Sequence, residues 1–211
     1  MKKTLTLFLI LISAISLMGC RQKSTNNIQM RPTKTSSSSF DQTALPVAGE
    51  KIAVLTTNLG TIKFRLFADK APETVKNFEE LTAQGKFTSV PFHRIVPGFV
   101  IQGGDFEKGN GTGGYSYKGP GTKVKNEISP DLSHVRGAVS MANAGPDTNG
   151  SQFFIVLPET RAVSLDGDYS IFGQVYEGMA VVDAIAAVKT DANDTPLTPV
   201  LIQKVEIKEE K

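Results

Sequence analysis

The sequence predicts a mainly β fold, a single barrel or sandwich domain that covers residues 50–211. Three observations support this prediction: apolar and polar residues alternate near residue 60, many short apolar runs are separated by Gly and Pro, and two helical patterns lie among them. Many short strands joined by glycine-rich turns are typical of barrels and sandwiches. Hydrophobic residues make up 40% of the 211 residues and charged residues 21%, as in ordinary globular proteins.

Strands are predicted wherever a short apolar run is bounded by turn residues. Residues 61–67 show this most clearly, because apolar and polar side chains alternate there and one face is therefore expected to be buried. The predicted strands are residues 52–57, 61–67, 92–95, 99–102, 138–142, 153–157, 169–175 and 200–208.

Two helices are predicted between these strands. The first begins at Pro72, a residue favoured in the first turn of a helix, and ends at Gly85. The second covers residues 179–188. Apolar residues at helical spacing form the predicted inward faces: Val75, Phe78 and Leu81 in the first helix, and Val182, Ile185 and Ala186 in the second.

Residues 1–19 have the pattern of a signal peptide. Two lysines precede an apolar stretch that is shorter than the roughly 20 residues of a membrane-spanning helix. The stretch ends in Leu17-Met18-Gly19-Cys20, which resembles a bacterial lipobox, so Cys20 is predicted to be lipidated. The protein would then be exported and anchored by lipid to the extracytoplasmic face of the bacterial cell membrane. The alternative is an uncleaved anchor that carries a chance cysteine.

Residues 20–49 are predicted to form a flexible polar tether after the lipidated cysteine, because they lack apolar periodicity and include four consecutive serines. Four basic residues and one acidic residue give the tether a net charge of +3, which suits either attraction to anionic lipids or a soluble spacer. Without the two lysines of residues 1–19, the 23 basic residues fall to 21, equal to the 21 acidic residues. A neutral chain without a concentrated basic face does not indicate nucleic-acid binding.

Several sequence motifs of known enzymes and binding sites are excluded here, because the residues around them do not fit. Residues 109–114 fit G-x-G-x-x-G, but the following residues cannot start the helix that a dinucleotide site requires. His93 and His134 are 41 residues apart and lack flanking ligands, so we expect no metal site and no cofactor. Ser151 is not in a G-x-S-x-G nucleophile elbow.

Unusual polar residues stand inside two apolar runs. Arg94 lies in the first run, residues 92–106. Asn143 and Gln152 lie beside aromatic residues in the second run, residues 140–155. Strand alternation predicts that Arg94 shares a face with Phe92. An arginine on an apolar face needs partners, so two readings remain open: a structural ion pair, or a guanidinium directed into a cleft that admits a peptide or small ligand.

The same two runs, residues 92–106 and 140–155, are similar to the signature segments of cyclophilin-type peptidyl-prolyl cis-trans isomerases. Residues 109–114 and 165–175 also resemble family segments in the same order, so the resemblance covers essentially all of 50–211. It implies a closed eight-stranded antiparallel β-barrel capped by two α-helices. It also implies that proline-containing polypeptides are the partners, and with the predicted signal peptide these would be unfolded or exported ones. Nothing in the sequence indicates an oligomer, so a monomer is expected.

The resemblance further implies the site residues. Arg94 would be the catalytic guanidinium, Phe99 would line the proline pocket, and Gln102 would bind the substrate backbone and help orient Arg94. Asn143 would hold the peptide mainly through its backbone. The implied substrate-binding residues are His93, Val100, Ala142, Asn143, Ala144, Gln152, Phe154, Leu165 and Tyr169.

Two departures from the family pattern leave alternatives open. Ser164 stands where the family often has Trp, in a loop (residues 158–164) about two residues longer than usual, and Tyr169 stands where His is common. The sequence therefore allows an isomerase that assists folding of exported proteins, or a proline-peptide-binding module with incidental turnover. A lipocalin-like carrier also fits a barrel lipoprotein, but it leaves Arg94 unexplained.

Overall fold

The computed structural model describes residues 40–157 and 162–211. The predicted signal peptide, Cys20, residues 21–39 of the tether and residues 158–161 of the longer loop lie outside this part of the chain. No helix among the described residues is long and apolar enough to cross a membrane.

Eight strands within the described ranges form a closed barrel in the order β1-β2-β7-β5-β6-β4-β3-β8. Every neighbouring pair is antiparallel. This confirms the eight-stranded barrel and decides between the barrel and the sandwich that the residue patterns allowed. The strands are β1 Lys51–Thr57, β2 Gly60–Leu66, β3 Val90–Val96, β4 Val100–Gly103, β5 Ala138–Met141, β6 Phe153–Val156, β7 Ile171–Glu177 and β8 Leu201–Glu209.

Among the elements that lie wholly within the described ranges, two α-helices accompany the barrel, α1 at Pro72–Ala83 and α2 at Met179–Ala186, and a short 3-10 turn spans Val163–Leu165. Phe78 of α1 is fully buried at the centre of an aromatic cluster. Its ring centroid lies 5.1–5.7 Å from four other phenylalanine rings, and such pairs stabilise a core beyond their buried area. The four rings are those of Phe64, Phe87, Phe153 and Phe172.

The start of α1 is capped by a residue distant in sequence. Ala71 precedes the helix and provides no side-chain cap. The carboxylate of Glu127 instead accepts the backbone N–H groups of Glu73 at 3.1 Å and Thr74 at 2.7 Å. A negative group at this end of the helix also complements the helix dipole. Glu127 therefore fastens its own loop to the start of α1.

A β-bulge changes the alternation of β3. Phe92 pairs with Gly103 while Arg94 pairs with Gln102, so β3 holds one extra residue between these pairs. As a result Phe92 and Ile95 are both buried in the core, and the Arg94 side chain is 42% exposed. The prediction that Arg94 shares a face with Phe92 is therefore wrong, because it assumed an unbroken strand.

Residues 40–49, hereafter the strap, pack against the barrel. Gln42 is only 8% exposed, and its amide nitrogen donates to the Ser133 carbonyl at 2.9 Å and to Gln174 Oε1 at 3.0 Å. Its Oε1 accepts the Ser133 N–H at 2.9 Å. Phe40 meets the Phe67 ring edge-on at 5.4 Å. The predicted boundary at residue 50 therefore lies too late, because these contacts are made by residues 40 and 42.

Candidate active site

The polar groups of the site are brought together by strand register. Arg94 of β3 stands opposite Gln102 of β4, and Gln102 stands opposite Phe154 of β6. Directly opposed residues on neighbouring strands project to the same side of a sheet. These three side chains therefore form one row across adjacent strands, which we call the central row.

Beside the central row lies a cavity of about 180 Å³, here called the proline pocket. Val100 and Phe154 are almost fully buried and supply apolar walls. The Tyr169 ring meets Phe154 edge-on, with centroids 5.7 Å apart. Apolar walls with a few convergent polar groups are typical of ligand pockets. The lining residues are Arg94, Phe99, Val100, Gln102, Ala142, Asn143, Phe154, Leu165 and Tyr169, all of them among the predicted site residues.

A second cavity of about 210 Å³ adjoins the proline pocket and shares Gln102, Ala142 and Asn143 with it. The predicted residues Ala144 and Gln152 line this second cavity rather than the first. Because they share Gln102, Ala142 and Asn143, the two cavities are together called the groove.

Gln102 is held in place by a hydrogen-bond relay. Its amide nitrogen donates to Gln152 Oε1 at 3.0 Å. The Gln152 amide nitrogen donates in turn to the carbonyls of Gly111 at 2.9 Å and Gly113 at 2.7 Å. In the described part of the chain no side-chain hydrogen bond joins Gln102 to Arg94. The implied orienting role of Gln102 is thus not realised as a direct bond to Arg94.

Arg94 instead has an acidic partner that the sequence did not indicate. Its Nε lies 3.6 Å from Asp194 Oδ2, and the two side chains are 42% and 40% exposed. Asp194 belongs to the turn between α2 and β8, where its carbonyl accepts the Ile95 N–H at 2.8 Å. No local motif marks Asp194, because its proximity to Arg94 arises only when this turn reaches β3.

The Asn143 side chain is engaged within its own part of the structure. Its side-chain nitrogen donates to the Asp168 carbonyl at 3.1 Å, and its Oδ1 accepts the Gly145 N–H at 3.2 Å. The side chain therefore holds its own loop in shape at a position that lines both cavities. The backbone contact with the peptide that the resemblance implied stays a prediction.

His93 is the predicted site residue that lines neither cavity. It is 8% exposed, and a Cβ added at Gly111 would lie 3.0 Å from its ring, so the glycine loop covers it. Burial lowers the pKa of His93, so the ring is neutral at neutral pH. His93 thus lies beneath the glycine loop at the bulge of β3, and its contact with substrate stays a prediction.

A buried network behind the proline pocket was also not predicted. His134 Nδ1 lies 2.6 Å from Asp166 Oδ1, and His134 Nε2 lies 3.0 Å from Ser140 Oγ. The His134 ring stacks on Phe154, with centroids 5.9 Å apart. Burial lowers the pKa of His134, opposed by the bond to Asp166.

This Ser-His-Asp arrangement is not a hydrolytic triad. Ser140 and His134 are fully buried, and the Phe154 ring stacks on His134, on the side of the pocket. A nucleophilic serine must reach a substrate carbonyl, and Ser140 has no exposed surface from which to do so. The network supports the pocket wall instead. Within residues 40–157 and 162–211, no group of three or more His, Cys, Asp or Glu is placed to hold a metal ion.

Comparisons with known proteins were made for the whole chain. The model of the cyclophilin type peptidyl-prolyl cis-trans isomerase/CLD family matches residues 52–207. A peptidyl-prolyl cis-trans isomerase-like 1 of Rhizopus delemar is 51% identical over 142 residues, 67% of this chain and 83% of that protein. The Mus musculus protein of the same name is 44% identical over 151 residues, 71% of this chain and 88% of that protein.

Solved structures give the same result. A cyclophilin type peptidyl-prolyl cis-trans isomerase of Cryptosporidium parvum aligns with a TM-score of 0.72 and 36% identity, over 77% of this chain and 99% of that chain. The structure of that protein in the presence of the dipeptide Ala-Pro aligns with a TM-score of 0.71 over 75% of this chain.

Fold and site together define a β-barrel enzyme that receives a small apolar ring beside a guanidinium. The chain belongs to the cyclophilin-type peptidyl-prolyl cis-trans isomerase family and catalyses rotation about the peptide bond that precedes proline. The enzyme hypothesis is thereby confirmed. The relatives named above are eukaryotic, and the family match begins at residue 52, after the segment that resembles a bacterial lipoprotein leader.

Proposed function

We propose that Arg94 is the catalytic group of this isomerase, and that the groove holds the substrate so that its proline ring enters the proline pocket. The observation that supports the proposal is the central row: strand register sets the guanidinium beside an apolar cavity and an amide. The cavity walls then exclude water from the proline ring.

The chemistry requires no bond to be made or broken. Rotation about an X–Pro amide breaks C–N resonance, and the barrier is about 18–20 kcal/mol. The enzyme therefore needs only to favour the twisted state over the planar one. As the amide twists, its nitrogen becomes pyramidal and accepts a hydrogen bond. The Arg94 guanidinium donates to that nitrogen, where the low local dielectric strengthens the interaction.

The remaining residues position the peptide. Phe99, Val100, Phe154 and Leu165 contact the proline ring, and Tyr169 closes the far side. The Asn143 main chain and the Gln102 side chain bind the peptide backbone next to the ring. Because the relay through Gln152 fixes Gln102 beforehand, little side-chain freedom is lost on binding.

A flat pH–rate profile follows from this mechanism. Arginine stays charged throughout the working range, and no other proton transfer takes part. We expect kcat/KM to vary little from about pH 6 to pH 9. Exchange rates measured by NMR across this range test the expectation, and a bell-shaped profile would contradict it.

The direct test uses residues 21–211 and an Arg94→Ala variant. Cis–trans exchange of an Ala-Pro-Phe peptide is followed by NMR exchange spectroscopy, without a coupled protease. We expect the variant to lose about 100-fold or more in kcat/KM. Circular dichroism and the unfolding midpoint provide the control for folding. A variant that folds normally and keeps full activity would refute the role of Arg94.

We further propose that the enzyme works outside the cytoplasm. Residues 1–19 act as a signal peptide, Cys20 is lipidated, and residues 21–39 form the tether to a monomeric barrel. The lipobox-like Leu17-Met18-Gly19-Cys20 supports this proposal. Uncatalysed proline isomerisation takes tens of seconds, so an isomerase at the membrane surface would speed the folding of exported polypeptides.

The location is tested with the full chain expressed in a bacterium. We expect labelled palmitate to be incorporated by the wild type and lost in Cys20→Ser, with the protein released from the membrane fraction. Ser24→Ala, a change in the same polar segment, provides the matched control. Equal membrane association of Cys20→Ser and wild type, without label in either, would refute lipidation.

A further inference from the structure

Arg94 has a neighbouring carboxylate that the mechanism does not use. Asp194 Oδ2 lies 3.6 Å from Nε of the Arg94 guanidinium. The two terminal amino groups of Arg94 have no hydrogen-bond partner among the described residues. The ion pair is therefore made through Nε, and the terminal amino groups remain available to donate to substrate.

The turn that carries Asp194 is built by its own hydrogen bonds. The Asp191 carboxylate accepts the N–H groups of Asn193 at 2.8 Å and Thr195 at 2.9 Å. Asp194 itself has φ = 65°, a left-handed conformation in which Asp is enriched over most other residues. Its carbonyl is tied to Ile95 of β3. The backbone from which the Asp194 carboxylate projects is thus set by the fold.

Stability does not account for this pair. Both side chains are about two-fifths exposed, and ion pairs in that environment contribute little to the free energy of unfolding. The pair does, however, change the electrostatic field at the groove. Among the described residues, Arg94 is the one charged group that lines the proline pocket, and Lys123 is the one that lines the second cavity.

We propose that Asp194 determines the charge specificity of the isomerase by balancing the charge of Arg94, a proposal that rests on the catalytic role of Arg94 proposed above. With Asp194 present, the residue next to the substrate proline meets a nearly neutral guanidinium–carboxylate pair. Acidic and basic residues at that position are then accepted to a similar degree. Without the carboxylate, the groove, which already holds the positive charge of Lys123, becomes more positive and selects acidic neighbours.

The experiment compares three peptides, Ala-Xaa-Pro-Phe with Xaa = Glu, Gln or Lys, using residues 21–211. The ratio of kcat/KM for the Glu peptide to that for the Lys peptide is measured by NMR exchange at low salt. We expect Asp194→Asn to raise this ratio about three- to tenfold, with the Gln peptide changed less. The increase should shrink at 0.5 M salt, because partly exposed charges are screened.

Two further variants separate charge from structure. Glu177→Gln removes the same charge from β7. Three strands separate β7 from β3 in either direction around the barrel, so this variant should leave the Glu-to-Lys ratio of kcat/KM unchanged. Asp194→Glu keeps the charge and should keep the wild-type ratio. An equal loss for all three peptides in Asp194→Asn would assign Asp194 a purely structural role and overturn the proposal.

The same peptides distinguish this proposal from the catalytic one. If Arg94→Ala abolishes exchange and Asp194→Asn leaves the Glu-to-Lys ratio unchanged, Arg94 is catalytic and the charge proposal is refuted. If Arg94→Ala remains fully active, the catalytic role fails, and with it the basis of the charge proposal.

Discussion

The direction of the Arg94 side chain depends on one extra residue in β3. Without the bulge, alternation would turn Arg94 towards the packed interior with Phe92, where an unpaired charge is costly. With the bulge, Phe92 and Ile95 both fill the core while Arg94 faces the groove. Bulges are frequent next to active sites because they redirect single side chains in this way.

At the same scale, His134 makes stability depend on pH. Burial lowers the pKa of His134 from 6.5, so the unfolded chain binds a proton at a higher pH than the folded chain. The free energy of unfolding therefore decreases as the pH falls below about 6.5, until the folded ring is protonated as well. His93 acts in the same direction.

We expect urea unfolding to give a lower free energy of unfolding at pH 5.5 than at pH 7.5. This difference between the two pH values should be smaller in the His134→Gln variant. The comparison uses the difference between the two pH values, since the substitution also changes stability directly. His93→Gln is the matched variant, and it should remove the contribution of His93 to the difference in the free energy of unfolding between the two pH values. An unchanged difference in both variants would show that neither histidine is responsible.

At the scale of elements, the strap is part of the folded unit. Gln42 satisfies the N–H and carbonyl of Ser133, and Ser133 Oγ bonds to Asp166 of the network behind the pocket. We expect Gln42→Ala to reduce the free energy of unfolding by about 1–3 kcal/mol, because buried polar groups lose their partners. Urea unfolding measures the change, and a loss below 0.5 kcal/mol would contradict it.

Thr43→Ala is the control for this prediction. The Thr43 side chain is in the same strap but bonds only to Asp41 at the surface, so its removal should have little effect. Residues 50–211 alone should be less stable than residues 40–211. Equal stability of the two fragments would mean that the strap is dispensable.

The start of α1 gives a second prediction about an element. The Glu127 carboxylate caps two backbone N–H groups that Ala71 leaves without a side-chain partner. We expect Glu127→Ala to cost about 1 kcal/mol, and Glu127→Gln less, because the amide oxygen remains an acceptor. Thermal unfolding of the three proteins checks this order, and equal midpoints would contradict it.

For the whole molecule, barrel closure joins the site to the core. The central row and two walls of the proline pocket, Val100 and Phe154, lie on β3, β4 and β6, which are neighbours in the closed sheet. We therefore expect the pocket and the barrel to unfold together. The chain has no Trp, so near-UV circular dichroism of its four tyrosines reports on tertiary structure. This signal and the far-UV signal should share one midpoint in urea, and separate midpoints would show that the pocket opens independently.

Local pattern and resemblance were enough to predict the elements and most of the site. Alternation, turn residues and helical spacing identified all eight strands and both helices, because these signals arise between residues close in sequence. Nine predicted residues line one cavity, since the two signature runs hold nearly all of them. Ala144 and Gln152 line the second cavity and His93 lines neither, because β3 bulges beside His93 and no local signal reveals a bulge.

The sequence by itself determined the secondary structure, the family resemblance and the residue types of the groove. Only the tertiary structure decided that the bulge turns Arg94 outward, that Gln42 ties the strap to Ser133, and that Asp194 meets Arg94. These features have a common physical reason. Each depends on pairing between residues far apart in the chain, and such contacts form only when the whole barrel is assembled.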